Sequence, residues 1–152
     1  MSELLTNTII IDANLDKAYE TIPESFIPIT NGLYINGKIN GKEICFLADT
    51  GANISVMSYS LAKELGVDYL IVHHYEGKVK GVNGDASMVG KIHYLEIEFE
   101  NGATMACGFT VINTTTKAII GLNTMMSHGS TIDLKKRTIT FSGMDVKFNQ
   151  IY

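Results

Sequence analysis

Cysteine, proline and tryptophan are scarce in this chain of 152 residues, which has two cysteines, two prolines and no tryptophan. Cys45 and Cys107 each lie inside a strand-like run, and their spacing matches no zinc or redox motif. We therefore expect two buried free thiols rather than a disulfide framework. His73 and His74 are adjacent, so in a strand they would point to opposite faces and could not readily share a metal ion. No metal or other cofactor is predicted.

Clustered positive charge and long apolar runs are also lacking. The chain has 12 lysines and arginines against 16 acidic residues, and the one basic run, residues 135–137, lies between two alternating apolar segments. A solvated hairpin turn explains this run better than a phosphate-binding patch, so nucleic-acid binding is disfavoured. The N-terminal segment has neither a basic stretch nor a continuous apolar core. We expect no signal peptide, no membrane partner and a cytoplasmic location.

Strand patterns dominate the chain from residue 26 onward. The clearest is the alternation of apolar Leu95, Ile97 and Phe99 with glutamates. Asn40 and Gly41 supply the chemistry of a hairpin turn, because both residues accept a positive φ. Further short strands are predicted at residues 33–39, 43–48, 70–72, 78–82, 105–111, 118–120, 131–134, 138–141 and 146–148.

Together these patterns predict an all-β fold, either a closed and mostly antiparallel barrel or a sandwich. One or two short helices are expected, near residues 60–65 and 125–128. Residues 1–25 form a separate arm in this prediction, and residues 26–152 form the main domain.

A lone carboxylate, Asp49, directly follows an apolar strand in the stretch FLADTGANISVMS, residues 46–58. A charge at the end of a buried strand costs free energy unless a partner pairs with it or a reaction uses it. As a turn residue, Asp49 would accept hydrogen bonds from nearby backbone N–H groups. As an acid–base group it would need a rigid loop and close approach to a partner, which the small Gly51 and Ala52 permit. On this stretch alone both interpretations stand.

Other motifs lie before and after Asp49 in an order that is typical of one family. An Asn-Gly-Lys hairpin precedes Ala-Asp-Thr-Gly-Ala, a glycine-rich segment follows at residues 79–84, and Ile-Ile-Gly-Leu-Asn occupies residues 119–123. Over residues 26–141 the chain resembles the retropepsins, the single-domain aspartic proteases of retroviral type and their cellular and bacterial relatives. The resemblance implies a retropepsin-like closed antiparallel β barrel with a flap hairpin at residues 78–88.

The resemblance also implies an aspartic endopeptidase that hydrolyses peptide bonds in a peptide or protein substrate. In that family two carboxylates share one proton around a water molecule. Because this chain has one Asp-Thr-Gly, the second carboxylate would have to be Asp49 of another copy, which implies a homodimer. The implied catalytic residues are Asp49, Thr50 and Gly51. The implied substrate-binding residues are Ala52, Asn53, Gly81, Val82, Asn83 and Gly84.

Three positions depart from the retropepsin pattern. Asn123 stands where many cellular relatives carry Asp, although retroviral members often have Asn there, and Asn53 and Leu122 replace an Asp–Arg pair of the retroviral enzymes. Two other interpretations of function are open. One is a catalytically silent retropepsin-fold module that dimerises or binds peptides, and the other is a zymogen held inactive by residues 1–25. The intact Asp-Thr-Gly-Ala favours the protease.

Overall fold

The computed structural model describes residues 2–26, 32–75, 77–81, 84–115 and 118–149. The chain divides into two units, residues 1–31 and residues 32–152, and each is described by itself. The boundary that the sequence suggested, between residues 25 and 26, stays a prediction.

Helix α1, Glu3–Thr21, makes up most of the first unit, and a 3-10 turn, Pro23–Phe26, follows it. The hydroxyl oxygen of Ser2 accepts a hydrogen bond from the backbone nitrogen of Leu5 at 3.2 Å and caps the first turn. None of the helix's side chains is buried. The sequence analysis expected an arm here but not its helix, because its apolar residues are split by polar ones and show no single clear run.

The second unit is built from short strands and two short helices. In chain order the described elements are β1 (Leu33–Ile39), β2 (Lys42–Ala48), β3 (Val56–Ser58), α2 (Tyr59–Glu64), β4 (Lys78–Gly81), β5 (Gly84–Phe99), β6 (Thr104–Ile112), β7 (Ala118–Ile120), α3 (Leu122–Ser127), β8 (Ile132–Asp133), β9 (Thr138–Phe141) and β10 (Met144–Lys147). Helices α2 and α3 lie where short helices were predicted.

Seven of these strands form one sheet in the order β1-β2-β7-β3-β6-β5-β4, and β1 also pairs with β5. That additional pairing, Gly37 with Phe99 and Lys38 with Glu98, closes the sheet into a ring. Most pairs are antiparallel, but β2 with β7 and β3 with β6 are parallel. Strands β8 to β10 form a separate three-stranded sheet. The all-β prediction is confirmed.

The interior of the second unit holds one cluster of apolar side chains from nearly every strand. The predicted alternation in β5 is present, since Leu95, Ile97 and Phe99 are buried and the glutamates between them are exposed. The turn between β1 and β2 also forms as predicted, with φ of 53° at Asn40 and 76° at Gly41. The largest fully buried side chains include Phe46, Phe141, Ile35, Ile39, Met57 and Leu65.

The strand predicted at residues 70–72 is wrong. A 3-10 turn, Asp68–Leu70, occupies the start of this segment, and Val72 forms a single bridge with Lys91. Three successive apolar residues occur both in strands and in buried turns, so their pattern cannot distinguish the two. His73 and His74 lie in the turn that follows, so the strand argument about their faces does not apply to them.

The expectation of two buried thiols is wrong for Cys45, which is exposed, while Cys107 is buried. In β2 the side chains of Ile44 and Phe46 face the core, and Cys45 between them faces outward. The alternation of the strand therefore decides the exposure of this thiol.

Candidate active site

Asp49 follows the last residue of β2, and the neighbouring strand β7 holds its backbone. Leu47 and Ala48 pair in parallel with Ile119 and Ile120 of β7. The backbone nitrogen of Asp49 continues this ladder, because it donates to the carbonyl oxygen of Ile120 at 3.0 Å. The Asp49 residue itself is half-buried. The pairing of β2 with β7 therefore fixes the position of Asp49 at the end of a core strand.

The Asp-Thr-Gly turn binds one oxygen of the carboxylate. The backbone nitrogen of Gly51 donates to Oδ1 of Asp49 at 2.8 Å, and the nitrogen of Ala52 donates to the Asp49 carbonyl at 3.1 Å. The turn role that the sequence offered for Asp49 is therefore present. Within the described part of the chain, the other carboxylate oxygen, Oδ2, accepts no hydrogen bond. One oxygen is positioned by the turn and the other is available for chemistry.

The segment after Asp-Thr-Gly is bound to the start of α3. The backbone nitrogen of Leu122 donates to the carbonyl of Ala52 at 2.8 Å, and that of Asn123 donates to the carbonyl of Asn53 at 3.1 Å. Gly121 permits this approach, because a Cβ at this position would lie 2.4 Å from the carbonyl oxygen of Ile54. The Ile-Ile-Gly motif therefore lets the start of α3 pack closely against the segment that follows Asp-Thr-Gly.

A polar cluster made of the buried Ser55 and Thr124 and the exposed Asn123 joins the same two segments through side chains. Oδ1 of Asn123 accepts hydrogen bonds from the backbone nitrogens of Ser55 at 2.9 Å and Thr124 at 2.8 Å. The Ser55 hydroxyl accepts from the nitrogen of Gly121 at 2.9 Å and lies 2.6 Å from the Thr124 hydroxyl. The sequence analysis missed Ser55 and Thr124, since a hydroxyl next to apolar residues carries no signal of a partner so far along the chain.

Cys107 borders this cluster and is its titratable member. Its sulfur lies 3.4 Å from the Thr124 hydroxyl. Burial raises the pKa of the Cys107 thiol above its ordinary value of 9.0, and hydrogen bonds with Thr124 and Ser55 offset part of the increase. The thiol is thus a neutral packing group behind the loop rather than a nucleophile.

The predicted flap segment forms a hairpin in its described part. Strands β4 and β5 pair from Lys78 with Ser87 to Gly81 with Gly84. Gly84 has a φ of 106°, a value that few other residues adopt. The predicted substrate-binding residues Val82 and Asn83 lie outside the described residues. Among the described residues, no hydrogen bond joins this hairpin to residues 49–53.

The structure thus brings together residues 49–55 and 119–124, and the described part of the flap hairpin makes no hydrogen bond with residues 49–53. Thr50, Gly51 and Asn53 are exposed, and Ala52 is half-buried. No group of three or more His, Cys, Asp or Glu side chains among the described residues could hold a metal ion. In the same part of the chain, no helix has the length and apolar character needed to cross a membrane.

Comparison with known proteins places this site in a family. Residues 23–133 match the sequence model of the aspartyl protease family. Over 136 residues the chain is 35% identical to DNA damage-inducible protein 1 of Phaeosphaeria nodorum, covering 89% of this chain and 30% of the relative. Over 130 residues it is 33% identical to human Protein DDI1 homolog 1, covering 85% of this chain and 32% of the relative. The chain thus spans about a third of the length of these curated relatives.

A solved structure supports the same placement. The crystal structure of the retroviral protease-like domain of Ddi1 from Leishmania major matches with a TM-score of 0.67 and 26% sequence identity. The match covers 80% of this chain and 96% of that domain. The chain belongs to the aspartyl protease family and has the retroviral protease-like fold, which confirms the resemblance to retropepsins.

Proposed function

We propose that this chain is an aspartic endopeptidase that works as a homodimer, with a dyad made of Asp49 from each of two copies. The observation that carries the proposal is a single Asp-Thr-Gly in a retroviral protease-like fold, with Asp49 held at the end of a core strand. One copy supplies one carboxylate, and hydrolysis of a peptide bond by this class needs two. A two-fold axis through the site would bring the second Asp49 next to the first.

In the proposed reaction the two Asp49 carboxyls share one proton. The ionised carboxylate takes a proton from a water molecule, which attacks the carbonyl carbon of the scissile bond, and the protonated carboxyl donates to the carbonyl oxygen. The Gly51 nitrogen holds Oδ1 of Asp49 in place, so the unbonded oxygen of each copy can face the water. The exposed Thr50 hydroxyl would brace the pair across the axis.

A peptide substrate in extended form would lie over Ala52 and Asn53 and under the hairpin that includes Gly81, Val82, Asn83 and Gly84. Support for this comes from the exposure of Asn53 and from the positive φ of Gly84 in the hairpin. Asn53 and Leu122 carry no charge, so the substrate backbone would be held by neutral hydrogen bonds rather than by an ion pair.

The substitution Asp49→Asn tests the proposal, with Asp145→Asn as the matched control. Asp145 lies exposed on β10, so the control changes the same group away from the site. With an unfolded protein as substrate at mildly acidic pH, we expect Asp49→Asn to lower kcat at least about 100-fold, because an amide cannot act as the base. Asp145→Asn should retain activity, and pepstatin should inhibit the activity of both this variant and the wild type. Full activity of folded Asp49→Asn would contradict the proposal, and an inactive but folded wild-type dimer would favour the silent module.

A further inference from the structure

One side of helix α1 carries a regular repeat of apolar and small residues. Positions 4, 8, 11, 15 and 18 follow one another at alternating intervals of four and three residues. With about 3.6 residues per turn, these positions fall on one side of the helix. Intervals of four and three that alternate are typical of a helix that packs along another helix. We name these positions the α1 seam, and they are Leu4, Thr8, Ile11, Leu15 and Ala18.

The large side chains of the α1 seam are exposed. The exposed fraction is 78% for Leu4, 57% for Ile11 and 46% for Leu15, and no α1 side chain is buried in the described part of the chain. The charged residues of the helix's second half lie away from the seam, at Asp16, Lys17 and Glu20. Leu5, Ile9, Ile10 and Tyr19 are exposed as well and lie outside the seam, so the seam differs from the rest of the helix in its regular spacing. The helix gains free energy when another surface covers this apolar stripe.

We propose that the α1 seam packs against the α1 seam of a second copy of this chain. The inference rests on the proposed function, since a dyad of two Asp49 residues already requires two copies and therefore two α1 helices in one assembly. In a two-fold dimer the same surface meets itself, which suits a stripe that repeats along one helix. A second copy is thus the partner that the proposed active site itself supplies.

The size of the α1 seam fits a contact that strengthens a dimer rather than one that creates it. A stable interface buries about 800 Å² on each partner, and the few large aliphatic side chains of the α1 seam fall short of that area. Once two protease domains hold the copies together, the tethered helices meet at an effective concentration on the order of millimolar. A weak helix pair then lowers the dissociation constant of the whole dimer.

Two exposed threonines of α1 provide a matched pair for a test by gain of affinity. Thr8 belongs to the α1 seam, and Thr6 lies on the opposite side of the helix, because two residues advance about 200° around the axis. Each hydroxyl donates to the carbonyl oxygen four residues earlier, at 3.2 Å for Thr6 and 3.0 Å for Thr8. Replacing either threonine with leucine therefore removes the same kind of hydrogen bond and raises helix propensity alike, so both effects cancel in the comparison.

In the full chain, Thr8→Leu adds an apolar side chain to the α1 seam, and Thr6→Leu adds the same side chain to the opposite side. By sedimentation equilibrium we expect Thr8→Leu to lower the dimer dissociation constant about tenfold and Thr6→Leu to leave it unchanged. Equal dissociation constants for these two variants would overturn the proposal.

A second pair of variants tests the same contact by loss of affinity. Leu15→Glu places a charge in the α1 seam, whereas Ile10→Glu replaces another exposed apolar residue outside it. We expect Leu15→Glu to weaken the dimer about tenfold and Ile10→Glu to leave it unchanged, with the helical circular dichroism signal kept in both. If the two variants behave alike, the proposal fails.

The two proposals fail separately in these experiments. If Asp49→Asn keeps its activity while Thr8→Leu tightens the dimer, the dyad is wrong and the α1 seam contact stands. If Asp49→Asn is inactive while all four variants of α1 dimerise like wild type, the dyad stands and the α1 seam contact is wrong. Above its own dissociation constant, each α1 variant should have wild-type activity per dimer, because α1 carries none of the proposed site residues.

Discussion

Oδ1 of Asn123 lies 2.9 Å from the backbone nitrogen of Ser55, which is 68 residues earlier in the chain. The same oxygen also accepts from the nitrogen of Thr124, so one amide group joins the loop after Asp49 to the first turn of α3. The carboxylate is therefore positioned by a segment from the other half of the domain. Substitutions behind the loop should change stability and activity together.

Removing the Asn123 amide should destabilise the domain. Asn123→Ala leaves two backbone N–H groups without their acceptor, so we expect a loss of about 1–3 kcal/mol in the free energy of unfolding and a lower kcat. Asn123→Asp keeps an acceptor at the same position and should retain most of the stability. The control is Asn113→Ala, since Asn113 is exposed like Asn123 but its side chain makes no hydrogen bond among the described residues. Urea unfolding of the three variants checks this, and an Asn123→Ala protein as stable as Asn113→Ala would contradict it.

A methyl group at Gly121 should be more harmful than one at a strained turn. In Gly121→Ala the new Cβ would lie 2.4 Å from the backbone carbonyl of Ile54, so the Asp49 loop would have to move. In Gly143→Ala the new Cβ meets nothing within 4 Å, and its φ of 81° costs about 1–2 kcal/mol. We expect Gly121→Ala to lose more stability than Gly143→Ala and also to lose activity. A thermal melt and a peptidase assay of both variants decide the matter.

The parts of this structure that could be predicted from sequence are those that local pattern determines. The alternation of Leu95, Ile97 and Phe99 reflects the two faces of a strand, and Asn40 with Gly41 fits a turn with positive φ. Asp49 could be selected as the candidate catalytic residue because its neighbours form a motif. The Ser55–Asn123 contact could not, because it depends on how two distant segments pack and on the direction of one amide group.

One wrong expectation and one element that was not predicted have a similar origin. The run at residues 70–72 is too short to show a period, so tertiary packing decided between a strand and a turn. Helix α1 was not predicted, because apolar residues such as Ile9 and Ile10 lie between the positions spaced by four and three residues and mask the helical period. In both segments the apolar pattern is compatible with more than one secondary structure.

The two cysteines should differ in reactivity. Partial desolvation raises the pKa of the exposed Cys45 thiol above the ordinary value of 9.0, and burial raises the pKa of the Cys107 thiol. An alkylating reagent should therefore modify Cys45 in the folded protein, faster as the pH rises, and should reach Cys107 only on unfolding. Mass spectrometry after timed alkylation, with Cys45→Ser as the control, measures both rates. Rapid modification of Cys107 in folded Cys45→Ser would contradict this.

Cys107 should also make stability depend on pH in the alkaline range. Because its pKa is raised in the folded protein, its contribution to the free energy of unfolding is fully present below the unfolded value of 9.0 and is lost as the pH rises through the folded pKa. We expect stability to fall more steeply above pH 9.0 in wild type than in Cys107→Ala. Urea midpoints measured across that range compare the two proteins, and parallel curves would show that the thiol does not contribute.

A mixing experiment tests whether two copies share one active site. If each site needs Asp49 from both chains, then mixing wild type with a threefold excess of Asp49→Asn leaves about a quarter of wild-type chains in a fully wild-type dimer. Activity per wild-type chain should therefore fall about fourfold once the chains have exchanged, because a mixed dimer has only one carboxyl that can act. Asp145→Asn in the same excess should not reduce the activity of the wild-type chains. Dilution below the dimer dissociation constant should likewise lower activity more than in proportion to concentration. If activity per wild-type chain stays constant in the Asp49→Asn mixture after complete exchange, each copy acts alone and the shared dyad is wrong.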